Sequence, residues 1–132
     1  MTETEKTQLI QAAAKAAVNA YAPYSKFRVG AAVLGAHGVY VGANIENASY
    51  PVGLCAERAA IASAVSQGDR TMRAIAIAFP DGDPAADIHQ RVPCGACLQW
   101  LAEFATDDLI LLCGDSNEFA LRDLLPTPFR LT

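Results

Sequence analysis

Three of the chain's four cysteines fall in two short segments, Cys55-Ala56-Glu57-Arg58 and Pro93-Cys94-Gly95-Ala96-Cys97, and each segment opens a helical pattern. Residues 55 to 66 carry Ala59, Ala62 and Val65 on one face and stop before Gly68, a residue suited to a helix C-cap. From Cys94 to Phe104 the apolar positions Cys97, Leu98, Leu101 and Phe104 follow helical spacing, with Pro93 at the entry, where no intrahelical donor is needed. A fold that places strand ends before these two helices brings their N-termini, and therefore the three thiols, to one point.

The remaining pattern supplies such a fold. Thr2-Glu3-Thr4-Glu5 has capping-box spacing, and Leu9, Ala13, Ala17 and Ala20 recur helically, so residues 4 to 20 read as a first helix stopped by Pro23. Residues 28 to 35 and 39 to 45 are β-rich and flank Ala36-His37-Gly38, which predicts a hairpin. Residues 72 to 79 read as an interior strand, 80 to 92 as a loop, 108 to 113 as a buried strand and 118 to 121 as an edge strand after a turn at 114 to 117. A brief helix through Leu124 and Leu125 ends at Pro126. The order predicts an α/β fold: a mixed sheet of about five strands with helices on its faces, all within one domain spanning residues 1 to 132.

Composition narrows the partners. Apolar residues make up 52% of the 132 and charged residues 18%, which argues against disorder. A net charge of -4 without any Lys/Arg cluster disfavours nucleic acid and leaves a small molecule as the better partner. The acidic start Met1-Thr2-Glu3-Thr4-Glu5 is unlike a secretory signal, and no apolar run approaches the about 18 residues of a membrane span. The expected location is the cytoplasm, where cysteines stay mostly reduced and clustered ones point to metal or catalysis before disulfides.

An isolated Cys94-x-x-Cys97 spacing suits a structural zinc knuckle, a redox dithiol or half of a catalytic metal site. The ligand count favours catalysis. A closed structural zinc wants four protein ligands, whereas Cys55, Cys94 and Cys97 make three. Cys113 lies in an apolar strand and reads as a small buried hydrophobe, while His37 and His89 sit in loops without ligand spacing. Glu57 faces the same point as Cys55 only if the helix begins at that cysteine. Three thiolates leave a zinc with little Lewis acidity, and Arg58 is placed to offset this by donating hydrogen bonds to sulfur; otherwise it is a solvated residue on a helix face.

Together with Tyr21-Ala22-Pro23-Tyr24-Ser25-Lys26-Phe27, Asn44-Ile45-Glu46-Asn47-Ala48-Ser49-Tyr50 and Leu124-Leu125-Pro126, the two cysteine motifs resemble the cytidine deaminase family, specifically its small homotetrameric branch. The resemblance implies the three-layer cytidine-deaminase-like fold, one Zn2+ per chain on Cys55, Cys94 and Cys97, and Glu57 as the catalytic proton carrier. It implies that Phe27 packs beside the pyrimidine, that Asn44 and Glu46 bond the ribose, and that Ala56 offers backbone contacts to the base. Tyr50 and Phe129 would complete pockets of neighbouring subunits in a homotetramer. The expected substrates are cytidine and deoxycytidine, without nucleic-acid or membrane partners. The family's usual Arg after the last cysteine is replaced here by Leu98, followed by Gln99. Two other readings share parts of this pattern: a deaminase of cytosine-containing nucleoside antibiotics of the blasticidin type, and a structural zinc module, which requires a fourth protein ligand.

Overall fold

A computed structural model describes residues 1–115 and 117–132. Its helices are α1 (Glu3–Ala17), α2 (Ala56–Ser66), α3 (Gly95–Phe104) and the single turn α4 (Leu121–Leu124); its strands are β1 (Gly30–Gly35), β2 (Val39–Ala43), β3 (Met72–Ala78), β4 (Ala105–Cys113) and β5 (Asn117–Ala120). The strands form one sheet in the order β2-β1-β3-β4-β5. Among the described strands only β3 and β4 pair in parallel, and the loop and α3 between them form the crossover that parallel pairing demands.

The expected three layers are present, because strand alternation sends two apolar sets to opposite faces. Ala32, Ala74, Ala76 and Leu112 pack under Leu9 and Ala13 of α1. On the other face Ala31, Val33, Ile75, Ile77 and Leu111 bury Ala60, Ile61 and Ala64 of α2 and Leu98 and Leu101 of α3. Small residues set the close approach of helix to sheet. A Cβ on Gly30 would lie 2.0 Å from the Ala13 carbonyl of α1, and one on Gly42 would lie 2.4 Å from the Ala60 nitrogen of α2.

Element boundaries depart from the sequence expectation where tertiary partners intervene. The Thr2 and Glu5 side chains cap α1 reciprocally, as their spacing predicts, with the Glu5 N–H donating to Thr2 Oγ1 at 3.1 Å. The helix stops at Ala17 rather than residue 20, because Tyr21 gives its N–H to the Asn44 carbonyl in a bridge beside β2. The strand expected from residue 28 begins at Gly30, since the Val29 N–H is taken by the Asn44 side chain. β4 begins at Ala105, three residues early, because Ala105 pairs with Met72 and carries the polar stretch Thr106-Asp107-Asp108 into the sheet. The loop at 80–92 contains a short helical turn, Ile88–Gln90. Of the turn expected at 114–117, Ser116 lies outside the described residues.

Asp69, only 1% exposed, locks the β1–β2 hairpin to the far end of α2. Burial pushes its carboxyl upward, but N–H bonds from His37, Ala36 and Thr71 and the Tyr40 hydroxyl outweigh it and hold the group at about 2. No helix among the described residues is long and apolar enough to cross a membrane.

Candidate metal centre and active site

The chain enters α2 at a point set by two backbone hydrogen bonds between Leu54 and Ile45, at 2.8 and 2.9 Å, just beyond β2. Cys55 is therefore the N-cap, with extended φ/ψ, and its thiol makes no capping bond. Cys94 stands in the same relation to α3: extended, N-capping and without a capping side-chain bond. Both thiols are left free to point away from their own helices. The two helix starts meet on one side of the sheet, as the sequence pattern requires, and the sulfurs of Cys55, Cys94 and Cys97 lie within 4.8 Å of one another.

These distances fit a single tetrahedral zinc. Zinc–sulfur bonds of about 2.3 Å separate ligand sulfurs by about 3.8 Å, and the Cys94 and Cys97 sulfurs stand 3.6 Å apart. Cys113 is outside the cluster; it is fully buried in the core, and burial pushes its thiol up to about 12. Among the described residues the metal-competent group therefore has three protein ligands, so a structural module closed by Cys113 is not what the fold builds.

Charge around the cluster is balanced by its neighbours. A hydrogen bond from Cys97 lowers the Cys55 thiol most; against burial, and with help from the Arg58 guanidinium, it brings the group to about 5. Arg58 is half-buried rather than lying on a solvated face, and its Nη2 donates to Cys55 Sγ at 3.5 Å. The unpaired N–H groups of the two helix N-termini favour negative sulfur in the same way. Glu57, one residue into the first turn of α2, is 6% exposed. Burial raises its carboxyl to about 7, the Cys55 charge adding to the rise and the Cys97 hydrogen bond and Arg58 opposing it.

A cavity of about 450 Å³ opens in front of these groups. Asn44, Glu46, Tyr50, Cys55, Ala56, Glu57 and Arg58 all line it. Its volume suits a small ligand. The Asn44 side chain is shared with the neighbouring backbone, donating to the Phe27 carbonyl at 2.9 Å and accepting from the Val29 N–H at 2.8 Å. Glu46 takes the N–H groups of Tyr24 and Ser25 at 3.1 Å each and the Ser25 hydroxyl. Tyr50 belongs to its own chain's cavity rim and is 67% exposed.

Two expected residues stand elsewhere. Phe27 packs on Phe79, with ring centroids 6.4 Å apart, and lines an adjacent cavity of about 360 Å³. Phe129 is 72% exposed and held by its backbone, which exchanges bonds of 2.9 and 3.1 Å with the Gln99 side chain. Leu98, in place of the family's Arg, is buried in the core between α2 and α3. Sequence reasoning missed Val29, Phe79 and Val92, which supply apolar wall. Phe79 reads as an interior strand residue; only its position at the C-terminal end of a strand that feeds a cysteine-bearing helix could have marked it.

A family model described as "Cytidine and deoxycytidylate deaminase zinc-binding region" matches residues 3–113. The chain belongs to the cytidine and deoxycytidylate deaminase family. The zinc-binding region named in that description spans all three clustered cysteines, and the thiol geometry accommodates one zinc ion per chain. Relatives of this family member include the cytidine deaminase of Halalkalibacterium halodurans, 44% identical over 95% of this chain and 94% of its own, and that of Sporosarcina psychrophila, 42% identical over 92% and 89%. The crystal structure of cytidine deaminase from Burkholderia pseudomallei, 41% identical, superposes with a TM-score of 0.81 over 98% of this chain and 100% of its own.

Proposed function

We propose that the chain catalyses zinc-dependent hydrolytic deamination of cytidine and deoxycytidine, giving uridine and deoxyuridine with release of ammonia. The observation that carries this reading is a buried carboxylate, Glu57, held near neutrality beside a three-thiol metal cluster on the wall of a nucleoside-sized cavity. The names of the relatives agree with it.

Cys55, Cys94 and Cys97 hold the zinc, which when bound supplies the Lewis acidity that makes water nucleophilic near neutral pH. Glu57 takes a proton from the attacking water and delivers it to N3 of the base, making C4 more electrophilic. The water oxygen bonds to C4. Glu57 then moves the proton of the new C4 hydroxyl to the exocyclic amine, the bond from C4 to that amine breaks to release ammonia, and the oxygen remains as the C4 carbonyl of the uridine. A carboxyl near pH 7 suits both directions of transfer, since it neither holds its proton too tightly nor refuses it. Arg58 tempers the negative charge of the thiolates through Cys55. Ala56, buried on the cavity wall, offers its backbone to the base, and Asn44 and Glu46, with acceptor capacity left on their oxygens, meet the sugar hydroxyls. Phe27, through its contact with Phe79, backs the apolar wall beside the pyrimidine.

The same reading takes residues 1–132 as one deaminase domain working as a homotetramer on free nucleosides in the cytoplasm, in pyrimidine salvage. Its support is the acidic balance of -4, which suits a nucleoside better than a polynucleotide, together with the outward-facing Tyr50 and Phe129. The decisive experiment counts zinc per purified chain and follows uridine and ammonia release from cytidine. One zinc per chain with stoichiometric release is expected, and protein lacking both metal and turnover would overturn the proposal.

A further inference from the structure

Residues 22–29 link the Tyr21 bridge to β1 without belonging to any helix or strand, yet they border the site. Within them Lys26 has φ of 59°, a left-handed conformation that a non-glycine residue keeps only when its surroundings over-determine it. Most of those surroundings lie on the β2 side. Glu46 collects the Tyr24 and Ser25 N–H groups, and the Asn44 amide spans the Phe27 carbonyl and the Val29 N–H.

Arg28 reaches the opposite way by hydrogen bonds, as Phe27 does by its ring contact with Phe79. Its backbone N–H and its Nε both donate to Asp81 Oδ2 at 2.9 Å, and its Nη2 donates to Asp81 Oδ1 at 2.8 Å. Asp81 follows the end of β3 by three residues, and Phe79, between them, lines the cavity and packs against Phe27. The Arg28 and Asp81 side chains are 44% and 27% exposed, so the pair adds little as an ion pair to overall stability. Its three-bond, two-oxygen geometry is better suited to fixing position.

We propose that Asp81 is a positioning residue for nucleoside binding: by clasping Arg28 it holds the Phe27–Val29 backbone against the β3 end, and so fixes Val29 and the Asn44 amide in the cavity. This rests on the nucleoside-deaminase reading above. Asp81 touches neither the thiol cluster nor Glu57, so its loss acts on ground-state placement of the nucleoside and spares the proton transfers.

The test compares zinc-loaded wild type with Asp81→Ala and Asp81→Asn. Asp81→Ala is expected to raise KM for cytidine about tenfold and weaken inhibition by uridine in parallel, with kcat within about twofold and zinc content unchanged. Asp81→Asn keeps an acceptor for the Arg28 N–H and should recover KM to within about threefold of wild type; it also carries the test if Asp81→Ala does not fold, a rise of two- to threefold in KM and in the uridine inhibition constant then being expected. A KM and uridine affinity equal to wild type in the folded variants, or a fall in kcat that tracks lost thermal stability, overturns the inference. Wild-type protein that turns over no cytidine overturns the proposed function and this inference with it, whereas active wild type with insensitive variants overturns the inference alone.

Discussion

At the scale of single residues, the proposed chemistry depends on Glu57 being both buried and close to negative sulfur. Its 6% exposure raises the carboxyl to about 7, whereas the same side chain in water would stay ionised and give up its proton too readily to act as an acid. Glu57→Gln keeps the shape and the metal ligands but cannot carry a proton. Its kcat for cytidine should fall by about a thousandfold or more with one zinc per chain retained, measured by uridine release and metal analysis. The thiols divide differently. Cys94→Ser removes a ligand from a cluster whose sulfurs lie within 4.8 Å, so zinc content should drop well below one per chain. Cys113→Ser, in the apolar core, should keep full zinc and lose about 1–2 kcal/mol of stability in urea unfolding. Equal metal loss in both variants would contradict the three-ligand site.

At the scale of elements, two helix N-termini do most of the positioning. Cys55 and Cys94 are each an extended N-cap, so the turn of chain that begins the helix also aims a thiol at the metal. Their helical patterns and starts were legible in the sequence, and the observed bounds fall within one residue of the expected ones. What the pattern did not reveal is how α2 is seated. Gly42 on β2 lies so close to α2 that a Cβ there would stand 2.4 Å from the Ala60 nitrogen and 2.8 Å from the Ala56 carbonyl. Both are backbone atoms and cannot swing aside. Gly42→Val should therefore push the start of α2 off the sheet, costing about 1–3 kcal/mol in urea unfolding and lowering zinc occupancy with it. A stable, fully metallated Gly42→Val protein would show that the helix seat tolerates movement. Element ends were less legible for the same kind of reason: Ala105–Asp108 is polar, and only its pairing beside β3 makes it strand.

At the scale of the whole molecule, several large apolar side chains remain uncovered on one chain. Tyr50, Val52 and Phe129 are 67%, 69% and 72% exposed. Phe129 is nonetheless held in place by Gln99, whose side chain fixes its backbone with two bonds. In the proposed homotetramer Phe129 would serve a neighbour's site, which leads to a complementation test. Phe129→Ala should lower kcat/KM about tenfold without loss of zinc, and co-expression with Glu57→Gln should yield mixed assemblies more active than the two parent proteins combined. Activity equal to the parental sum would show that Phe129 does not serve a neighbour's site.

By themselves, the residues of this chain determined the chemistry: the count and spacing of thiols, the carboxylate two positions after the first, and the alternating apolar runs that make a sheet. Those are local properties, written in neighbouring positions and in the periods of strand and helix. Only the tertiary structure decided that Glu57 is buried and its carboxyl raised to about 7, that Arg58 turns to Cys55, that Phe27 leans on Phe79 in an adjoining cavity, and that Asp81 reaches back 53 positions to clasp Arg28. Each of these depends on which surfaces meet across the sheet, and burial, pKa and hydrogen-bond partner are set by that meeting rather than by sequence separation.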